Sequence, residues 1–308
     1  MKILFTGASS FTGCWFVHTL AAAGHEIVCP LTKNPEDYTG TRGRRIEKLK
    51  ACGQLVPQTL FGSETFLKLI RENHFDLLCH HAADVTDYKS AAFDAPRAVQ
   101  NNTHNLRTVL AALRERGLRA VILTGTVFEN DEGAGTEPLV AASPYGLSKA
   151  MTYKAFREGC TTAAVTLGKF VIPNPFGPFE EARFTAQLMR NWQAGKTAEV
   201  KTPDYIRDNI HVDLLALAYL GFAERVVAAK TPLLKTNPSG YVGSQGDFAQ
   251  RVAREVRART GWACELKLSP QTDFSEPLKR VNTEPAAALA PGWSESQAWD
   301  AFVEFYTK

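Results

Sequence analysis

The first 31 residues constrain this chain most. Lys2 to Thr6 is a short run carried by Ile3, Leu4 and Phe5; it ends at Gly7, and residues 13 to 23 then place Phe16, Val17, Leu20 and Ala21 at helix-compatible positions before Gly24. A second apolar run, Glu26 to Leu31, comes next. Strand, glycine turn, helix and strand in so short a stretch make a β-α-β unit with parallel strands and a right-handed crossover. The alternation continues, with strands expected at 76–80, 119–124 and 163–172 and helices at 63–73, 97–116 and 144–159. The strands are continuous apolar runs, the pattern of strands covered on both faces. The fold class is α/β with a doubly wound parallel sheet.

At Pro173 the texture changes. Pro-Asn-Pro-Phe-Gly-Pro is a rigid loop, and beyond it the strict alternation is lost, so two domains are expected, residues 1–172 and a smaller α/β domain, 173–308, from which some segments return to the first. Helices are expected at 182–195, 212–227, 244–260 and 294–306, with Ser244 and Asp247 as a capping pair, Gly261 as a stop, and Ser294 capping with Gln297 three residues on. Trp262 to Leu268 alternates like a strand. Trp299, Phe302, Val303 and Tyr306 follow helical spacing and belong in a core.

The composition excludes several classes. With 44% hydrophobic and 22% charged residues the chain has enough apolar material for a folded core, and a formal net charge of +3 calls for no nucleic acid. The basic stretch Arg42 to Lys50 is explained by a solvated helix face. No stretch reaches the roughly 18 apolar residues of a spanning helix, so a cytoplasmic protein without a membrane partner is expected. The 6 cysteines form no C-x-x-C pair, which suits reduced thiols. No metal is expected, because the adjacent His80 and His81 would point to opposite faces of a strand.

Two motifs carry chemistry. The turn Thr6-Gly7-Ala8-Ser9-Ser10-Phe11-Thr12-Gly13 lies between strand and helix, where backbone N–H groups and the helix dipole hold a pyrophosphate. Gly7 permits the tight turn and Gly13 close packing of the helix, while Ser10 stands where a third glycine is usual. The other motif is Tyr145-Gly-Leu-Ser-Lys149 behind Ser143-Pro144. Proline opens the helix, and a tyrosine and a lysine four apart share one face. The ammonium is expected to lower the phenol's pKa from its usual value near 10, which suits Tyr145 to exchange a proton with a substrate hydroxyl or ketone while a hydride moves to or from a nicotinamide. Thr124 and Thr126 emerge at the carboxyl edge of the sheet, where open α/β sheets bind ligands.

With these motifs in order the sequence resembles the extended short-chain dehydrogenase/reductase family, in particular its NAD-dependent epimerase/dehydratase branch, which acts on nucleotide sugars. The likeness spans nearly the whole chain. It adds His80-His81-Ala82-Ala83, Asn101, Val127-Phe128, Asn174-Pro-Phe-Gly-Pro178 and Arg207-Asp-Asn-Ile-His-Val-Asp213 to the two motifs above. It implies a Rossmann-type, dinucleotide-binding domain over residues 1–172, a substrate-binding domain over 173–308, and hydride transfer at a sugar carbinol or ketone carbon. Thr124, Tyr145 and Lys149 would be the catalytic set, with Asn101 in support. Gly7, Ser10, Phe11, Gly13, Ala82, Tyr145 and Lys149 would contact the cofactor. Thr126, Asn174 and Arg207 would meet the substrate, Arg207 on its diphosphate, and His211 would order backbone. The resemblance also implies a homodimer through residues 101–116 and 144–159.

Three departures qualify the expectation. The second strand runs into Cys29-Pro30-Leu31-Thr32-Lys33 with no ribose-binding aspartate, and no acidic residue occurs at 58–61. NADP is therefore favoured slightly over NAD, with Thr32, Lys33 or Arg42 meeting a 2′-phosphate. Gly125-Thr126 replaces the Asp-Glu pair of sugar dehydratases, which disfavours water elimination. His104-Asn105 replaces a usual Gly-Thr. A 4-keto reductase and a 4-epimerase both remain open, with a sugar-nucleotide dehydratase and a catalytically silent dinucleotide-sensing protein on the same fold as alternatives.

Overall fold

The computed structural model describes all 308 residues. The first eleven strands in chain order are β1 (Lys2–Thr6), β2 (Glu26–Pro30), β3 (Gln54–Val56), β4 (Leu77–His80), β5 (Ala120–Thr126), β6 (Ala134–Gly135), β7 (Thr166–Ile172), β8 (Asn174–Phe176), β9 (Ala198–Val200), β10 (Ile206–His211) and β11 (Leu233–Thr236). Seven of them form one parallel sheet in the order β11-β7-β5-β4-β1-β2-β3. The order reverses between β1 and β4, which opens a crevice at their carboxyl ends. This is the Rossmann-type sheet expected.

Helices cover both faces. On one side lie α1 (Phe11–Ala22), α2 (Gly40–Lys50) and α8 (Val212–Ala228), where Phe16 stacks on Tyr219 with ring centroids 4.1 Å apart. On the other lie α3 (Glu64–Glu72), α5 (Leu106–Glu115) and α6 (Pro144–Thr162), burying Phe66, Val109, Leu110 and Phe156. Alternation along β5 divides its side chains between the two faces: Ile122 belongs to the α1 side and Val121 and Leu123 to the α6 side.

The remaining helices are α4 (Ala95–Asn102), α7 (Phe184–Gln193), α9 (Gln245–Thr260) and α10 (Glu295–Thr307). The last three enclose a separate core around Phe176, Trp192, Phe248, Trp299, Phe302 and Val303. A second, mixed sheet centres on β10, flanked by Tyr241–Ser244 and Lys279–Val281, with β6 beyond the latter and β8 also on β10. No helix is long and apolar enough to cross a membrane.

Several expectations shift. The helix expected over 97–116 is two helices, because Asn105 takes the left-handed conformation at φ 51 and its side chain binds the Gly62 carbonyl at 2.9 Å. β5 runs two residues further than expected, so Gly125 and Thr126 are strand residues. Of Trp262 to Leu268 only Leu266–Leu268 is strand, paired with β9. α2 is less solvated than its charge suggests. Arg45 is buried, donating to the Ser9 carbonyl at 3.1 Å and to Glu181 at 2.6 Å.

Candidate active site

The β1–α1 turn is built from backbone at close quarters. Gly7 sits at φ +77, and a Cβ there would lie 2.6 Å from the Ala82 nitrogen; a Cβ on Gly13 would lie 2.4 Å from the Gly7 carbonyl. Ser10 caps α1, its hydroxyl accepting the Gly13 N–H at 3.1 Å, so the positive end of α1 faces the crevice. From α2, Arg42 reaches back to the Ser9 hydroxyl at 2.9 Å and lies over the Tyr38 ring. The turn, the helix terminus and this guanidinium fit a dinucleotide. Thr32 and Lys33 lie exposed beyond β2, the Thr32 hydroxyl 3.3 Å from that of Tyr38.

Tyr145 and Lys149 stand on α6, which Ser143 caps by accepting the Gly146 N–H at 3.1 Å and Pro144 opens. The Tyr145 ring packs edge-on against Tyr88 and Phe93, with centroids 5.4 and 5.9 Å away. The phenol does not respond to Lys149 as expected. Burial pushes its pKa above the usual 10, the Glu129 carboxylate and Tyr88 add to the rise, and Arg183 only partly opposes it. Tyr145 is thus a protonated acid at neutral pH. Lys149 is buried, and burial lowers its pKa to about 8, with Glu129 opposing the fall and Lys169 adding to it.

The Thr124 hydroxyl turns away from α6, since its place in β5 directs it to the α1 side. There it lies 2.9 Å from Nδ1 of His81, whose Nε2 is 3.0 Å from the Ser10 hydroxyl and 3.1 Å from that of Thr12. His81 thereby joins the dinucleotide turn to Thr124. Burial, with the Lys149 charge, lowers its pKa to about 3, so the imidazole is neutral. Its neighbour His80 faces the other side, stacked on Phe156, with Nδ1 3.1 Å from the Thr6 hydroxyl. Thr126 ends the strand, half-buried.

The two asparagines at the end of α4 differ in surroundings. Asn101 is exposed and donates to Asp84 at 2.8 Å, whereas Asn102 is buried, donating to the Thr152 hydroxyl of α6 at 3.2 Å and accepting the Asp84 N–H at 2.8 Å. Helical spacing puts Asn102, not Asn101, on the buried face with Ala95 and Ala98. Arg207, expected on a diphosphate, is buried. Its guanidinium donates to Glu276 at 2.8 Å and to the Pro277 carbonyl at 3.0 Å, and stacks over Tyr205. Asn174 is half-buried on β8, beside Asn209 of β10. His211 caps α8, accepting the Asp213 N–H at 3.2 Å. Glu129 and His81 meet these groups only through the fold. Neither type signals a site on its own, and the side chains that engage them come from distant segments.

A glycine cradle at the switch point of a parallel sheet, with a tyrosine and a lysine one helical turn apart beside it, defines a dinucleotide-dependent enzyme of Rossmann type. The model of the NAD dependent epimerase/dehydratase family matches residues 3–233, and the chain belongs to that family. Among solved structures it is similar to UDP-glucuronic acid 4-epimerase from Bacillus cereus, seen as a tyrosine-to-phenylalanine mutant with a fluorinated UDP-glucuronic acid and NAD (TM-score 0.76, 17% identity, 100% of this chain and 99% of that one). It is similar also to UDP-glucose 4-epimerase from Thermotoga maritima with UDP-glucose (TM-score 0.75, 18% identity, 100% and 99%). The UDP-glucose 4-epimerase from Stenotrophomonas maltophila with NAD gives a TM-score of 0.77 at 16% identity, covering 100% and 98%. At such identities the likeness establishes the fold. No curated protein matches by sequence.

Proposed function

We propose that this chain is an NAD(P)-dependent enzyme that acts on a nucleotide sugar by hydride transfer at a carbinol or ketone carbon, in a 4-keto reduction or a 4-epimerisation. The observation that carries the reading is Tyr145 and Lys149 on one face of α6 beside the glycine cradle of β1 and α1. A nicotinamide supplies the hydride chemistry when bound. Gly7, Ser10, Phe11, Gly13 and Ala82 would hold the dinucleotide, with Lys149 and Tyr145 at its reactive end. Tyr145, kept protonated by its surroundings, gives its proton to a sugar ketone oxygen in the reductive direction. Thr124 is assigned to the same substrate oxygen, for which its hydroxyl would have to turn from His81, 2.9 Å away on the α1 side. Absence of an aspartate after β2, together with Arg42 at the turn and Lys33 exposed nearby, supports NADP over NAD.

Arg207 is the cation assigned to the substrate diphosphate, which would take the place of the Glu276 carboxylate; the Glu276 side chain is 51% exposed and free to leave. Asn174 and Thr126 are assigned to the sugar and nucleotide. Dehydration is disfavoured, because Gly125 and Thr126 supply neither the acid nor the base for elimination, and a larger residue at 125 would bring its Cβ to 2.8 Å from Glu129 Oε1. Leu147 and Met151, exposed and one turn apart on α6, support a homodimer through this helix and α5.

The test is Tyr145→Phe, which keeps the ring and removes the proton. Single-turnover hydride transfer, followed by nicotinamide absorbance with a panel of nucleotide sugars, should fall by about 10² to 10⁴ with substrate affinity little changed. A near wild-type rate would show that the proton goes elsewhere. No transfer with any nucleotide sugar, cofactor being bound, would favour the silent sensor.

A further inference from the structure

Beyond the end of β5 lies a cluster of charges that hydride transfer does not call for. Glu129 is fully enclosed and Lys169 of β7 nearly so. The Lys169 ammonium donates to Glu129 at 2.6 Å and to Glu132 at 2.7 Å, and it lies 3.9 Å from the centre of the Tyr153 ring of α6. Lys235 of β11 closes the outer end, 2.6 Å from the second Glu132 oxygen. The free oxygen of Glu129 accepts the Thr126 N–H at 2.8 Å. One carboxylate therefore ties the last residue of β5 to β7. Arg280 grips the same loop from the second sheet, donating to the carbonyls of Glu129 at 3.0 Å and Val140 at 2.7 Å.

The placement bears on the reaction. Gly125 admits the cluster, since a Cβ there would stand 2.8 Å from Glu129 and 2.9 Å from Lys169. The loop that Glu129 clamps abuts the first turn of α6: a Cβ on Gly146 would lie 2.4 Å from the Phe128 carbonyl, which also accepts the Ala142 N–H at 3.1 Å. Gly146 is the neighbour of Tyr145. Desolvating buried ions costs several kcal/mol each, and a well-packed apolar set often does as well for stability, so stability alone does not account for the cluster.

We infer that Glu129 is a positioning residue for the Tyr145–Lys149 pair: held by Lys169 and the Thr126 N–H, it fixes the loop beneath the start of α6 and presents a buried negative charge to both side chains. This rests on Tyr145 and Lys149 being the proton-transfer pair. Lys149 faces Glu129 from the loop, Lys169 from β7, and the neutral His80 and His81 at the end of β4. Tyr145 faces Glu129, Tyr88 and, from the start of α7, Arg183. The Glu129 charge favours the ammonium form of Lys149 against burial and against Lys169. Removing that charge lets the ammonium lose its proton more easily.

Glu129→Gln keeps the side-chain size and an acceptor for the Thr126 N–H, and it leaves Lys169 on Glu132. The titration of Lys149 can be followed by NMR of labelled lysine side chains, its signal assigned by loss in Lys149→Met. The expected result is a midpoint in Glu129→Gln below the wild-type value of about 8. Glu132→Gln removes a similar contact to Lys169 but no charge facing Lys149; it should lower Tm while the Lys149 midpoint stays at the wild-type value. Glu129→Asp keeps the charge and gives up reach, so its midpoint should stay near wild type while hydride transfer slows. An unchanged midpoint in Glu129→Gln, or an equal fall in Glu132→Gln or Glu129→Asp, overturns the inference. The titration needs no substrate, so a failure to turn over nucleotide sugars would refute the proposed function separately.

Discussion

His80 reports how dry the interior behind Lys149 is. It is 1% exposed, with its ring against Phe156 and Phe61 at centroid distances of 4.7 and 4.3 Å, and its Nε2 has no hydrogen-bond partner. Burial first and the Lys149 charge second bring its pKa to about 3, whereas an imidazole in the unfolded chain titrates near about 6.5. The folded value being the lower, the unfolded chain takes up the proton first as pH falls. The stability due to neutral His80 is complete above about pH 6.5 and is lost progressively towards about pH 3. Within that window the slope approaches about 1.4 kcal/mol per pH unit, and between about pH 7 and about pH 5 the loss integrates to about 2 kcal/mol. His80→Asn retains an acceptor for the Thr6 hydroxyl and removes the titrating ring. Urea denaturation of both proteins at the two pH values should show the variant, although less stable throughout, losing about 2 kcal/mol less than wild type. The difference cancels other titrating groups, including Asp208 and Glu180, whose carboxyls burial pushes up to about 6 and about 7. Equal losses in the two proteins would mean that folded His80 is as readily protonated as unfolded His80, and the argument from burial would fail.

The same geometry sets four further outcomes. Gly7→Ala meets backbone at 2.6 Å and a φ of +77, so it should cost about 2 to 5 kcal/mol of stability by chemical denaturation and abolish dinucleotide binding in calorimetry. Arg42→Ala should weaken NADP by about 10- to 100-fold with NAD little changed, the worth of a charge-assisted hydrogen bond; an equal loss for both cofactors would place Arg42 on the pyrophosphate or in the fold. Glu276→Gln should tighten a nucleoside diphosphate such as UDP in titration calorimetry, since the carboxylate no longer competes for Arg207, and weaker binding would sink that assignment. Asn102→Ala should slow hydride transfer and lower Tm, whereas Asn101→Ala, on the exposed side of α4, should do neither.

The helix break at Asn105 and the run of β5 through Thr126 show where local reading stopped. Asn tolerates a left-handed backbone, but nothing near it in sequence says that Gly62 will approach closely enough to bind its side chain. Likewise apolar content ended β5 at Thr124, while β7 pairs with it as far as Thr126 through hydrogen bonds that apolar patterning does not register.

What the amino-acid order determined alone was the periodic part: the β-α-β start, the parallel sheet, the glycine turn, and Tyr145 and Lys149 on one helix face. Each depends on residues within a turn or two of one another, where spacing is geometry. What only the tertiary structure decided was the chemistry of those residues. Tyr145 is an acid because Tyr88, Phe93 and Glu129 surround it; Thr124 faces His81 because of the register of β5; Arg207 is paired because residues 276–278 fold back on it. Ionisation and hydrogen bonding are set by whichever groups share a volume, and in a doubly wound fold those groups come from strands and loops far apart along the chain.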